Sequence, residues 1–274
     1  MNIVVSDLKK VFGDKTVVDI PKFSIPSGEI LGLVGNNGAG KTTFFRLILD
    51  LIKADGGEIL FGSCGNACRL SSSDSLSCSE TPSDMLESDS DSQSCLNGDD
   101  KGEMLNPAKT EAWKKFTGAY IDEGFLIDFL TPEEYFEFIG KTNNMSSDEV
   151  NERLKGFESF MGGEILGQNK YIRNFSAGNK QKIGIISALL NSPELVILDE
   201  PFNFLDPTSQ NVLKKLLEDY NRDNGATILI SSHNLQHTIN ISTRIALLEH
   251  GNIIRDIPNN NGSANAELEE YFKI

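Results

Sequence analysis

No stretch of this sequence is long and apolar enough to cross a bilayer. The longest apolar runs, "ILGLV" at 30–34 and "LVILD" at 195–199, fall well short of the roughly 20 residues a spanning helix needs. Positive charge is also scarce. With 25 Lys and Arg against 40 Asp and Glu the net charge is −15, which argues against broad nucleic-acid binding, because neutralising phosphates takes a surplus of cations. The start, "MNIVVSDLKKVFG", lacks the basic residues, long apolar middle and small-residue cleavage site of a secretion signal, and a cytoplasmic location is expected. Cysteine is confined to one segment: Cys64, Cys68, Cys78 and Cys95 are separated by three, nine and sixteen residues. Those spacings fit no common zinc pattern, and no His lies nearby. A structural disulfide is not expected in the cytoplasm, so exposed free thiols are the simpler reading.

What is present is an alternation of apolar strand-like runs with helical patterns. "EILGLVG" precedes "KTTFFRLILDLI"; later come "NKQKIGIISALLN", "ELVILDE", "SQNVLKKLLEDY" and "ATILISS". This order predicts an α/β domain around a mostly parallel sheet. The pattern breaks once, from Ser63 to about Asn106, where Ser and Asp dominate and nine acidic residues face two basic ones. Such a segment buries too little apolar surface to offset its ordering entropy, and disorder is expected.

"GNNGAGKTT" follows a buried strand and opens a helix, the context in which G-x-x-x-x-G-K-[ST] cradles phosphate. Gly35, Gly38 and Gly40 permit turns that a side chain would obstruct. Amide N–H groups of Gly35, Asn36, Asn37, Gly38, Ala39 and Gly40 can then converge on phosphate oxygens at the positive end of the helix that runs on through Thr43. Lys41 is expected to reach the β and γ phosphates, and the Thr42 hydroxyl to ligate Mg²⁺. In "LVILDEP" an apolar run ends in two carboxylates. Neighbouring side chains on a strand point opposite ways, so Asp199 and Glu200 have different expected jobs: Asp199 to hold Mg²⁺ through water, Glu200 to orient or deprotonate the attacking water. Both fall at a strand's carboxyl end, where ligands gather in open α/β sheets.

"FSAGNKQK" at 175–182 has no nucleophile or acid-base pair. Ser176 is a good N-cap for a helix from about Asn179 to Leu190, and its hydroxyl, the Gly178 amide and the helix dipole make a second anion site. A phosphate loop, then this stretch, then "LVILDEP", "FLDP" and a His after a strand resembles the nucleotide-binding domain of the ATP-binding cassette (ABC) family. "FSAGN" stands where that family's signature is usually LSGGQ; Ser176 and Gly178 match, whereas Phe175, Ala177 and Asn179 depart.

The resemblance implies a P-loop NTPase core with a mostly parallel sheet, an antiparallel β subdomain and a helical subdomain. It covers residues 1–258 as one ATPase domain, interrupted by the Ser/Asp-rich insert at about 63–106, which is expected as a loop on the β-rich edge. Residues 259–274 are expected as a linker and short C-terminal helix. It further implies that the second anion site serves ATP bound by another subunit, in a head-to-tail homodimer or heterodimer of ABC domains. By the same resemblance Phe12 stacks on adenine, Asp206 links the two sites across the dimer, and His233 contacts the γ-phosphate. Glu123 stands where the family has a metal-sensing Gln, with Asp122 as the alternative after a one-residue shift. The implied activity is hydrolysis of ATP with Mg²⁺, using Glu200, His233 and Lys41, to move solute through a separate transmembrane permease docked on 131–168 and the Glu123 loop. The membrane is met only through that permease, on its cytoplasmic face. The character of the chain leans toward export. The alternatives are a soluble non-transport ABC ATPase, such as an iron-sulfur assembly factor, and a degenerate cassette that only regulates.

Overall fold

The computed structural model describes residues 1–62, 104–233, 235–259, 263, 264 and 268. The four cysteines and the expected disordered stretch up to residue 103 lie outside the described residues, as does most of the expected terminal helix.

The chain opens with two long strands, β1 (Asn2–Phe12) and β2 (Lys15–Ile25), paired antiparallel. Alternation buries Ile3, Val5 and Leu8 of β1 and Val18, Ile20, Phe23 and Ile25 of β2, as expected for strands with one face on a core. Then come β3 (Ile30–Val34), α1 (Lys41–Ile48), β4 (Gly56–Gly62), β5 (Met104–Leu105) and β6 (Thr117–Tyr120). Three helices follow, α2 (Pro132–Thr142), α3 (Ser147–Lys155) and α4 (Glu158–Met161). Thr131 and Ser146 start the first two with capping boxes closed by Glu134 and Glu149, each satisfying two otherwise orphaned N–H groups. The rest alternates: α5 (Ala177–Leu189), β7 (Leu195–Asp199), α6 (Pro207–Asn224), β8 (Thr227–Ser232), α7 (Leu235–Ile241), β9 (Arg244–Glu249) and β10 (Asn252–Pro258).

These strands form two sheets. One is four-stranded and antiparallel, in the order β2-β1-β4-β5; the other has six strands in the order β10-β9-β3-β8-β7-β6, parallel except for β10. Every residue of β3, β7 and β8 is buried, which explains the apolar runs of β3, of β7 up to Leu198 and of the middle of β8. All three end on the same side of the sheet, where the loops carrying the expected site residues leave.

Two expectations shift at their edges. Gly62 pairs with Met104 and Phe61 with Leu105, so ordered antiparallel pairing resumes at Met104 and reclaims residues 104–106 from the insert. The ends of that segment sit on the β-rich edge, as expected. The supposed linker at 259 begins with a buried residue: the Asn259 amide donates to the carbonyls of Ile239 and Ser242, and its side-chain oxygen accepts from Ala264 N–H.

The parallel sheet meets α5 through glycine. A Cβ on Gly118 would lie 1.8 Å from the Ala188 carbonyl oxygen, and one on Gly184 would strike the Tyr120 ring. Backbone cannot yield as a flexible side chain can, so Gly118→Ala is expected to cost about 1–3 kcal/mol of stability by overpacking. Urea unfolding followed by circular dichroism measures this; an unchanged midpoint would refute the close approach.

Candidate functional site

The loop from Gly35 to Gly40 is shaped by what lies beneath it. A Cβ on Gly35 would sit 2.3 Å from the Leu248 carbonyl oxygen, and Gly40, at φ +112°, would meet that of Val17 at 2.6 Å. Glycine is therefore required by close approach at both positions and by left-handed backbone at the second. Ala39 and Gly251 join the loop to the β9–β10 turn through a 2.9 Å backbone hydrogen bond. Lys41 opens α1 and is buried; its ammonium donates to the Gly35 carbonyl at 2.7 Å and lies 3.8 Å from a Glu200 carboxylate oxygen.

Sheet order places the ends of β3, β8 and β7 side by side. Thr42, from the first turn of α1, donates its hydroxyl to one Asp199 oxygen, and Ser231 of β8 donates to the other. Burial pushes the Asp199 carboxyl above its ordinary range, opposed by those two hydrogen bonds. A buried carboxylate beside a hydroxyl is a hard-oxygen pair that suits Mg²⁺, which takes one or two carboxylates plus phosphates and water rather than a protein cage. Among the described residues no group of three or more His, Cys, Asp or Glu side chains is arranged to hold a metal.

Glu200 lies one residue past β7 at φ +48°, a left-handed conformation uncommon outside glycine. It is held on both sides. Its N–H donates to the Ser231 hydroxyl at 3.0 Å, and its carbonyl accepts from the Gln181 amide at 3.2 Å. The turn aims the carboxylate at His233, whose Nδ1 is 2.8 Å away and whose N–H donates to the same oxygen. Glu200 thus stands between the Lys41 ammonium and the His233 imidazole, a geometry able to position water and stabilise developing negative charge.

The other expected residues are spread around this centre. Ser176 caps α5 by accepting from Asn179 N–H at 3.2 Å, but the helix starts at Ala177, two residues before the position expected, because the cap itself sets the first turn. Gly178 has a packing reason absent from the sequence reading: a Cβ there would lie 2.6 Å from the Phe204 carbonyl oxygen. Asp206 caps α6 through the N–H groups of Thr208 and Ser209, and those hydrogen bonds with the Ser209 hydroxyl hold its carboxyl below the usual range. Phe12 is half exposed at the end of β1, paired with Lys15, which lines a cavity of about 210 Å³ with residues 35–39 and 247–250.

Glu123 shares a second cavity, of about 250 Å³, with Asp199 and Glu200. Its carboxylate is 3.3 Å from the Lys180 ammonium of α5. Asp122 is otherwise engaged, capping the short turn at 123–125 through Gly124 N–H and pairing with Arg46, so Glu123 is the one of the two turned to α5. Lys180, Gln181 and Ser231 were not singled out from the sequence. Their partners lie tens of residues away, and no local pattern announces them.

The matching family model is described as ABC transporter and covers residues 18–203. The bacitracin transport ATP-binding protein BcrA of Bacillus licheniformis is 28% identical over 93% of this chain and 69% of its own length. The lantibiotic transport ATP-binding protein SrtF of Streptococcus pyogenes is 28% identical over 98% and 94%. Among eight of the curated relatives it matches, the chain spans between 53% and 94% of the relative's length. The solved dimeric post-hydrolysis state of the cassette MJ0796 bound to ADP and Pi superposes with a TM-score of 0.71 at 19% identity, covering 94% of this chain and 99% of that one.

Ser231 supports both Asp199 and Glu200, so Ser231→Ala is expected to lower stability by about 1–3 kcal/mol. It should also slow nucleoside triphosphate hydrolysis about 10–100-fold, as loss of a supporting hydrogen bond does. Denaturant titration and a phosphate-release assay read the two; normal hydrolysis would mean that Ser231 does not position the carboxylates.

Proposed function

This chain belongs to the ABC transporter family and is an ATPase of it, and we propose that it powers solute movement, in the outward direction, through a separate transmembrane permease. The observation that carries the hydrolytic part of the reading is the Glu200 carboxylate set between Lys41 and His233, beside the Asp199–Thr42 pair. ATP lies along the loop from Gly35 to Thr43 with its adenine on Phe12. Lys41 binds the β and γ phosphates. Thr42 and Asp199 are the residues that would hold Mg²⁺, which would supply neutralisation of phosphate charge, and Glu123 stands at the rim of the same cavity as Asp199.

Glu200 orients a water in line with the γ-phosphorus and accepts its proton as the new P–O bond forms. The bond from the γ-phosphorus to the bridging oxygen breaks, and ADP and phosphate leave. Lys41 and His233 stabilise charge on the transferred group. Ser176 and Gly178 face ATP held by a second ABC domain, and Asp206 lies at the same junction, so closure of the pair completes each site. Among the described residues no helix is long and apolar enough to cross a membrane, and in this reading the subunit sits on the cytoplasmic face of its permease. Docking uses the region 131–168 and the turn after Glu123, where Phe125, Phe129 and Phe138 are exposed.

The names of BcrA and SrtF, with bacitracin and lantibiotic transport in them, support a transport role with an antibiotic-type cargo. They give no support to iron-sulfur assembly. Presence of Lys41, Asp199, Glu200 and His233 in one cluster speaks against a degenerate regulator.

Glu200→Gln is expected to cut hydrolysis at least about 100-fold and to trap a Mg-ATP dimer, seen by light scattering. A variant that stays monomeric at saturating ATP and keeps full turnover would sink both assignments. For the transport role, the native protein purified from mildly solubilised membranes should bring down a polytopic membrane protein in stoichiometric amount; recovery only from cytosol would overturn it.

A further inference from the structure

The turn that aims Glu200 has to be held in place. At φ +48° the Glu200 Cβ crowds the following carbonyl, so relaxation toward ordinary backbone would swing the carboxylate away from Lys41 and His233. Such strain persists where neighbouring structure over-determines it. On the N-terminal side the restraint is Ser231, on the strand next to β7, whose hydroxyl accepts the Glu200 N–H at 3.0 Å. On the C-terminal side the Glu200 carbonyl accepts two hydrogen bonds, from Asn203 N–H at 3.1 Å and from the Gln181 side-chain amide at 3.2 Å. The first closes within the turn and moves with it. The second comes from α5 and ties the turn to the body of the protein.

Gln181 is placed to do this and nothing else. Glutamine is ordinarily exposed, yet this one is only 6% exposed and lines the cavity of about 250 Å³ with Asp199 and Glu200. Its helix is closely seated: three residues on, a Cβ at Gly184 would strike the Tyr120 ring of β6. We infer that Gln181 is a positioning residue for hydrolysis, its amide holding the Glu200 carbonyl so that the left-handed turn persists and the carboxylate stays aimed. The inference rests on the reading of Glu200 given above. Gln181 does not line the cavity formed by residues 35–39 and 247–250 with Lys15, so it acts on the chemical step through Glu200 and not on nucleotide binding. Without the amide, the carboxylate samples orientations that miss the attacking water, and a displaced general base loses rate.

The test uses the full chain with Mg-ATP and compares the parent with Gln181→Met, which keeps the length of the side chain but cannot donate. Turnover is expected to fall about tenfold or more, as misplacement of a catalytic group does. KM for ATP and binding of a fluorescent ATP analogue should stay within about twofold of the parent, since binding common to ground and transition states is untouched. The fold should survive, because Asn203 N–H still satisfies the carbonyl, and Gln181→Leu should behave alike. The deciding measurement is single-turnover hydrolysis in the Glu200→Gln background. There Gln181→Met should change the residual rate by less than about twofold, because residues that act as a unit are not additive. If Glu200→Gln slows hydrolysis and Gln181→Met does not, the positioning role is refuted while the reading of Glu200 stands. If Glu200→Gln keeps full turnover, that reading fails and takes this one with it. An equal loss in both backgrounds, or nucleotide binding lost in step with turnover in both the Met and Leu variants, would make Gln181 a structural residue and also overturn the inference.

Discussion

The carboxylate of Asp199, taken out of water at the end of β7 and gripped by hydroxyls from two other elements, is the constraint on which the site depends. Burying an ionisable group is costly unless hydrogen bonds compensate, and here the compensation comes from Thr42 on α1 and Ser231 on β8. Those bonds tie the phosphate loop to the two strands beside it. Ser231 extends the tie to the Glu200 backbone, so the two consecutive carboxylates are set by one hydroxyl although their side chains serve different ends.

Past β7 the chain gives up favourable backbone to aim side chains. Glu200 and Phe204 both take positive φ, and each is stabilised by amides from helices: Gln181 of α5 for Glu200, Gln210 of α6 for the segment around Phe204. One turn points a carboxylate toward Lys41 and His233, and the other points an aromatic ring toward solvent. Gly178 permits both helix and loop to approach, because no Cβ intervenes between α5 and the Phe204 carbonyl. The aim of the Glu200 carboxylate and the exposure of the Phe204 ring are therefore parts of the same packing arrangement.

Much of the fold was legible because its signals are local. The apolar runs at 30–34, 195–199 and 227–232 are fully buried strands. The glycine-rich loop opens a helix at Lys41, and Ser176 is an N-cap. Where the reading slipped, the information was not local. Met104 and Leu105 look like the end of a polar insert until β4 is alongside to pair with them. Asn259 looks like linker until the end of α7 supplies carbonyls for its amide. Asp122 and Glu123 take different partners only because Arg46 and Lys180 arrive from different helices.

The sequence alone determined the order of strands, loops and helices and the residue types gathered at the strand ends, since periodicity, glycine and capping act over a few residues. Only the tertiary structure decided which groups meet. Thr42 and Asp199 are 157 positions apart, and Glu123 and Lys180 are 57 apart. The first encounter follows from a sheet order, β3-β8-β7, that places strands together out of chain order, and the second from α5 packing on β6. No local pattern encodes that adjacency; it is fixed by which buried faces pack best, and with it the burial of Asp199, the aim of Glu200 and the exposure of Phe204.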